Sequence, residues 1–160
     1  MPHRDEPQRV RSVTKAASPI KTIKDANGHT IAFSTNGSST NSVVRAFIDE
    51  FKLTSAKPMA TGNPASTLTA VMTDQVDIGW AAPPFGLREI KEGTIRIIAH
   101  GSDVPSLRGQ TVRAIVVNAN ALKDKHDPIM RFAQGYREAV DWMHSDTKVI
   151  ELYSGKVNQP

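Results

Sequence analysis

Between residues 30 and 100, short apolar runs alternate with segments whose apolar positions recur every three to four residues. Asn27-Gly28 marks a turn, and residues 30–34 read as a strand. The small polar stretch Thr35-Asn36-Gly37-Ser38-Ser39-Thr40 then runs into a helix whose Val43, Val44, Phe47, Ile48 and Phe51 share one face. Gly37 suits a tight turn there, and Ser38 or Ser39 suits the N-cap. Residues 57–61 form the next predicted strand. Asn63-Pro64 supplies the cap and first helical position of a helix to about residue 74, with Leu68, Val71 and Met72 turned inward. A strand over 76–81, a helix from Pro83-Pro84 to about 92 closed by Gly93, and a strand over 95–100 complete the series. Strand and helix alternating across short connections predict an α/β fold, a mostly parallel sheet with helices on both faces.

Outside that stretch the rhythm breaks. Residues 1–19 mix proline, charge and small polar residues, and are expected to form an irregular arm punctuated by Ser18-Pro19. A polar loop over 102–109 precedes a predicted strand over 111–118, centred on Ile115-Val116-Val117. A short polar helix or turn follows at 120–125. Asp127-Pro128 opens a long helix to about 144, with Ile129, Phe132, Ala133, Tyr136, Val140 and Met143 on one side. Beyond Lys148 the chain is expected to fray. The expected divisions are 1–19, 20–105, 106–150 and 151–160.

Charge changes the picture less than its total suggests. The 160 residues carry 20 Lys and Arg against 16 Asp and Glu, and a pI near 9.5. Residues 1–24 hold six of the cations and two of the acids, so residues 25–160 balance at 14 against 14. The globular body therefore has no basic surface of the kind that recruits nucleic acid, and a solvated tail is the simpler reading of the excess. Absence of cysteine removes disulfide frameworks, thiol nucleophiles and iron–sulfur clusters. The five histidines are scattered without metal-ligand spacing, so no metal and no cofactor are expected. No apolar run is long enough to span a bilayer. After Met1 the sequence reads Pro-His-Arg-Asp-Glu-Pro-Gln-Arg, without the apolar core of a signal peptide. As written, the chain is expected to stay in the cytoplasm.

Candidate chemistry concentrates where predicted strands hand over to helices. Asn36, Gly37, Ser38, Ser39 and Thr40 place free backbone N–H groups, hydroxyl donors and the positive end of a helix dipole together. That set suits a sulfonate, phosphonate, phosphate or carboxylate head group, and equally suits an ordinary N-cap bonded to its own backbone. Asn63 is a second ligand candidate, or simply the cap of its helix. Trp80 ends a strand and either packs on a ligand's apolar part or on the core. Asp77 would repel an anion and is read as a turn or inter-strand acceptor. Catalysis has little to stand on. Ser12-Val13-Thr14-Lys15 and Ser18-Pro19-Ile20-Lys21 spell S-x-x-K without partner motifs, and no G-x-S-x-G, P-loop or G-x-G-x-x-G occurs.

Residues 18–33 carry Asp25, Gly28 and Ile31 in a D-x-x-G-x-x-[IV] pattern, followed by Gly37-Ser38-Ser39-Thr40 in a turn. Downstream, residues 68–79 follow an A-L-x-x-G-x-V-D-A pattern, with Asp74 where glycine is common. Pro83-Pro84-Phe85, Glu92-Gly93 and the long helix over 127–144 keep the same order. Over residues 18–150 the chain resembles ABC-transporter substrate-binding proteins of the nitrate/sulfonate/taurine type, which have the type 2 periplasmic binding protein fold. The resemblance implies that 20–105 is the α/β ligand-binding part of a second lobe and 106–150 a return strand and helix, with most of the first lobe lacking. It implies a monomeric, periplasmic, non-catalytic binder of a small organic anion that delivers it to a permease and ATPase. Thiamine-pyrimidine synthase relatives of this fold depend on a cysteine-rich iron motif, which a chain without cysteine does not carry. A cytosolic sensor or enzyme domain reusing the fold is the competing expectation.

Overall fold

Among the described residues, 10–108 and 114–157 of this computed structural model, five short strands, three α-helices and three short 3-10 turns make up the first of two units, the division falling after Val112. Residues 1–9 of the expected arm, 111–113 of the expected strand and 158–160 of the expected tail lie outside the described residues.

The strands are β1 (Arg11–Lys15), β2 (Thr30–Phe33), β3 (Lys57–Ala60), β4 (Gly79–Ala81) and β5 (Ile95–His100). β1 lies between β4 and β5 and runs antiparallel to both. β2 and β3 pair in parallel. A parallel bridge from Ile31 to Ile78 joins the two sets, through Ala32 N–H to Ile78 O at 2.7 Å and Ile78 N–H to Thr30 O at 3.0 Å. The order is thus β3-β2-β4-β1-β5, with β1 alone running against the rest. Four strands in one direction keep the parallel character of an α/β sheet.

β1 corrects the expectation of an irregular arm. Its sequence offers a single apolar residue, Val13, yet Ser12, Val13 and Thr14 are all buried. Thr14 repays its burial by donating its hydroxyl to Asp77 O at 2.7 Å. The segment leaving β1 is clamped by Arg96 of β5, which donates to the carbonyls of Ala16, Ser18 and Ile20. One planar fork thereby satisfies three carbonyls and fixes the path across Ser18-Pro19.

Helix α1 (Ser39–Glu50) buries Val43, Val44 and Phe47 against Ile31, Phe33 and Ile78. Phe47 is fully buried, which contributes roughly 1.5–3 kcal/mol of apolar transfer. Helix α2 (Pro64–Met72) packs Ala70 and Val71 on Ala32. Because Ile31 and Phe33 alternate with Ala32 along β2, α1 and α2 cover opposite faces of the sheet. On α2, Thr67 and Ala70 turn inward with Val71, while Met72, expected inside, is exposed. The expected strand over 76–81 is regular only from Gly79. The expected helix from Pro83 is confined to α3 (Leu87–Lys91), starting after Gly86 at φ +80°.

The second unit holds α4 (Ala119–Asp124), α5 (His126–Ser145) and α6 (Lys148–Val157). Described residues 114–118 form no strand and lie exposed, Val116 at 86%. Their β-branched run has strand propensity, but no strand among the described residues pairs with it. α5 has the expected amphipathic pattern, yet Phe132, Tyr136 and Met143 are exposed. Where fraying was expected, α6 is helical through Val157. No helix among the described residues is long and apolar enough to cross a membrane.

Candidate functional site

Because β2, β3, β4 and β5 share one direction, their carboxyl ends line one edge of the sheet, and β1 begins there. In open α/β sheets that edge is where ligands bind. β2 ends at Phe33, and Ser34 follows directly. The chain turns at Gly37, whose φ of +75° is the left-handed region that glycine adopts without strain, and enters α1 with Ser38 as N-cap.

Three hydroxyls close a triangle at this turn. Ser34 Oγ lies 2.9 Å from Ser38 Oγ and 2.8 Å from Thr40 Oγ1, which are themselves 2.9 Å apart. Thr40 Oγ1 also accepts from Ser34 N–H at 2.8 Å, and Ser38 Oγ accepts from Asn41 N–H at 3.2 Å. Gly37 N–H donates to Asn41 Oδ1 at 3.3 Å. Part of the candidate donor set is therefore spent on the turn itself, as the capping reading requires. The N–H groups of Ser39 and Thr40, the first two of α1, meet no protein acceptor among the described residues. They point along the helix axis with the dipole behind them. Asn36 is exposed and forms no hydrogen bond among the described residues.

The α2 N-terminus lies beside this turn, since Thr61 N–H donates to Phe33 O at 2.8 Å and Gly62 N–H to Ser34 O at 2.9 Å. Asn63 serves as the α2 cap, accepting from Ser66 N–H at 2.9 Å. Asn36, Gly37, Ser38, Ser39, Thr40 and Asn63 thus gather at two adjacent helix starts. Trp80 sits on β4, half-buried against the Ala32–Ala70–Val71–Val76 cluster. Its ring packs on the core, and its Nε1 is buried without an acceptor among the described residues.

Asp77 lies at the opposite, amino edge. Its Oδ2 accepts from Thr30 N–H at 2.8 Å and from the Thr30 hydroxyl at 2.7 Å, while His29 Nδ1 stands 3.4 Å from Oδ1. Burial pushes this carboxyl's pKa up, but the Thr30 hydrogen bonds and the neighbouring His29 outweigh it and hold the pKa below the ordinary aspartate value. That is the inter-strand role expected of it.

Sequence reasoning missed Ser34, whose only signal is its place as the residue ending a strand four positions before the cap. It also missed Asn41, buried in the first turn of α1. Among the described residues no group of three or more His, Asp or Glu is placed to hold a metal ion. The edge offers neutral donors and a helix dipole, which can receive an oxyanion.

A family model described as "NMT1/THI5 like" matches residues 7–148. Over 89 residues the chain is 34% identical to a putative aliphatic sulfonates-binding protein of Escherichia coli (strain K12), covering 54% of this chain and 27% of that protein. The crystal structure of the periplasmic aliphatic sulphonate binding protein SsuA from Escherichia coli superposes with a TM-score of 0.78 at 22% identity, covering 96% of this chain and 49% of that one. The alkanesulfonate-binding protein SsuA from Xanthomonas axonopodis pv. citri, bound to MOPS, superposes with a TM-score of 0.73 at 17% identity, covering 96% and 52%. The fold is that of these periplasmic binding proteins, and the chain spans about half the length of these solved structures.

Proposed function

The chain belongs to the NMT1/THI5-like family, and from that premise we propose that it acts as the solute-binding component of an ABC importer for a small organic anion of the sulfonate class. The observation that carries this reading is the α1 start: the Ser34–Ser38–Thr40 hydroxyl triangle beside the unpaired N–H groups of Ser39 and Thr40, at the sheet's carboxyl edge. A sulfonate presents three equivalent oxygens to such donors and stays ionised at all physiological pH values. Two N–H groups and the positive end of the helix dipole stabilise that charge.

Nothing in this reading requires a bond to be made or broken. The anion is captured at the edge of the α/β part, residues 20–105, enclosed by hinge closure against a second lobe, and handed to a permease and its ATPase. The chain acts as a monomer in the periplasm. The likeness to sulfonate-binding proteins supports the ligand class.

Isothermal titration with ethanesulfonate, taurine, MOPS and nitrate tests it. Saturable binding of a sulfonate is expected, weakened about tenfold by Ser38→Ala or Thr40→Val, each removing one hydroxyl of the triangle. The expected Kd is weaker than about 1 μM, because one wall of a cleft supplies only part of the contacts and none of the closure. Absence of saturable binding by every anion overturns the reading.

A further inference from the structure

Buried donors normally find acceptors, so the exceptions carry information. Two described side chains break the rule, Arg11 at Nε and Trp80 at Nε1. Both are donors, and they stand on neighbouring strands. In the β1–β4 register Arg11 faces Ala81 and Ser12 faces Trp80. Because β1 runs against β4 and β5, its first residue lies at their last ones, Ala81 on one side and His100 on the other. Arg11 is thereby fixed at the carboxyl edge, two strands along from the Ser34–Ser38–Thr40 turn.

The charge makes Arg11 the more telling of the pair. The residue is half-buried, and its shielded Nε–H carries part of the positive charge of the guanidinium. Other cations of this unit show how such a group is ordinarily satisfied: Arg96 donates to three carbonyls, Lys15 pairs with Asp74 at 2.6 Å, and Arg88 pairs with Glu89 at 3.1 Å. No carboxylate or carbonyl among the described residues takes the Arg11 Nε–H. A shielded cationic donor, held by a strand at the edge where ligands bind, lacks an anionic oxygen.

We propose that Arg11 is the charged anchor of the ligand site, donating from its guanidinium to an oxyanion whose remaining contacts come from the helix starts along the same edge. This rests on the reading of that edge as an anion site, and adds to it the cation that the neutral turn lacks. Arg11 then selects for oxyanions over neutral sulfones and amides of the same shape, while the hydroxyls and N–H groups set orientation.

The test uses the whole 160-residue chain, labelled with nitrogen-15 and titrated with ethanesulfonate at constant ionic strength, with ethyl methyl sulfone as the neutral control. The Arg11 Nε–H resonance, assigned by its loss in Arg11→Lys, is expected to shift saturably with the same Kd as the Ser39 and Thr40 amides. The sulfone should shift none of them. Arg11→Lys should weaken ethanesulfonate at least about tenfold, since the ammonium cannot reproduce the planar fork. If the Ser39 and Thr40 amides saturate while Arg11 stays still, the anion site stands and the anchor falls. If none saturates, both fall. An Arg11→Lys chain that melts lower yet keeps its Kd makes Arg11 structural, which also overturns the proposal; because the shift is read on the unsubstituted protein, a variant that fails to fold leaves the first readout intact.

Discussion

Asp77, two residues before β4, shows how one residue ties β1 to β2. Its carbonyl receives the Thr14 hydroxyl from β1, and its carboxylate receives the Thr30 amide and hydroxyl from β2. The carboxyl's pKa lies below the ordinary aspartate value of 3.8, so the folded protein holds that proton less tightly than the unfolded chain. The resulting stability is complete above about pH 4 and is lost as pH falls through the folded value. Asp77→Asn keeps the shape and removes the charge. With the side chain 43% exposed, the loss at pH 7 should be about 1 kcal/mol, shrinking toward zero at pH 3. Urea unfolding of both proteins at the two pH values checks it; an undiminished difference at pH 3 would mean that the charge is not what matters. The role of Asp77 was legible in the sequence because an acid at a strand start has few alternatives. Arg11 was not legible, because a basic residue in a polar stretch gives no sign that a strand will shield it. Asp74 was legible as an oddity only: it takes φ +59°, the left-handed conformation for which glycine is the usual choice at that turn.

At the scale of elements, the segments read correctly from sequence are those whose partners lie close by in the chain. Helices α1 and α2 bury apolar faces against β2, and β3 pairs with β2, so periodicity and caps suffice. β1 failed because its burial is repaid by long-range pairing with β4 and β5 rather than by its own apolar content. Residues 114–118 and the face of α5 failed in the opposite sense: the pattern specifies a surface without its partner. Of the candidate site, the two helix starts were legible through glycine and cap residues, whereas their adjacency depends on β2–β3 pairing that no local signal encodes. Helix α2 packs tightly on β4 at Gly79. A Cβ at Gly79 would stand 2.5 Å from Val71 Cγ2 and 3.1 Å from Thr67 Cγ2. Gly79→Ala should therefore cost about 1–3 kcal/mol by forcing α2 off the sheet. Adding Val71→Ala, which removes the clashing methyl, should recover about half of that penalty despite the lost burial. A double-mutant cycle by urea denaturation reads the coupling; strictly additive losses would place the strain elsewhere.

Over the whole molecule, burial and chain length part company. Among the described residues, the buried apolar core runs from Val13 to Leu107, and no residue from 114 to 156 is buried. Cooperative unfolding follows shared buried surface, so the first unit should melt as one transition that owes little to α4, α5 and α6. The second unit instead displays Phe132, Tyr136, Met143, Ile150 and Tyr153, an apolar exposure that only a partner surface would relieve. The charge arithmetic reads differently at this scale too: Arg11 and Lys15, counted with the basic arm, belong to strand β1, between β4 and β5 in the folded body. Limited proteolysis should accordingly cut first within the exposed, irregular residues 114–118. A chain ending at residue 113 should keep a single thermal transition within about 3 °C of the original, because every buried apolar residue among those described lies between Val13 and Leu107. Calorimetry of the two chains decides the matter: a transition that broadens or disappears in the shorter one would show that the helical segment, though exposed, is needed to hold the sheet together.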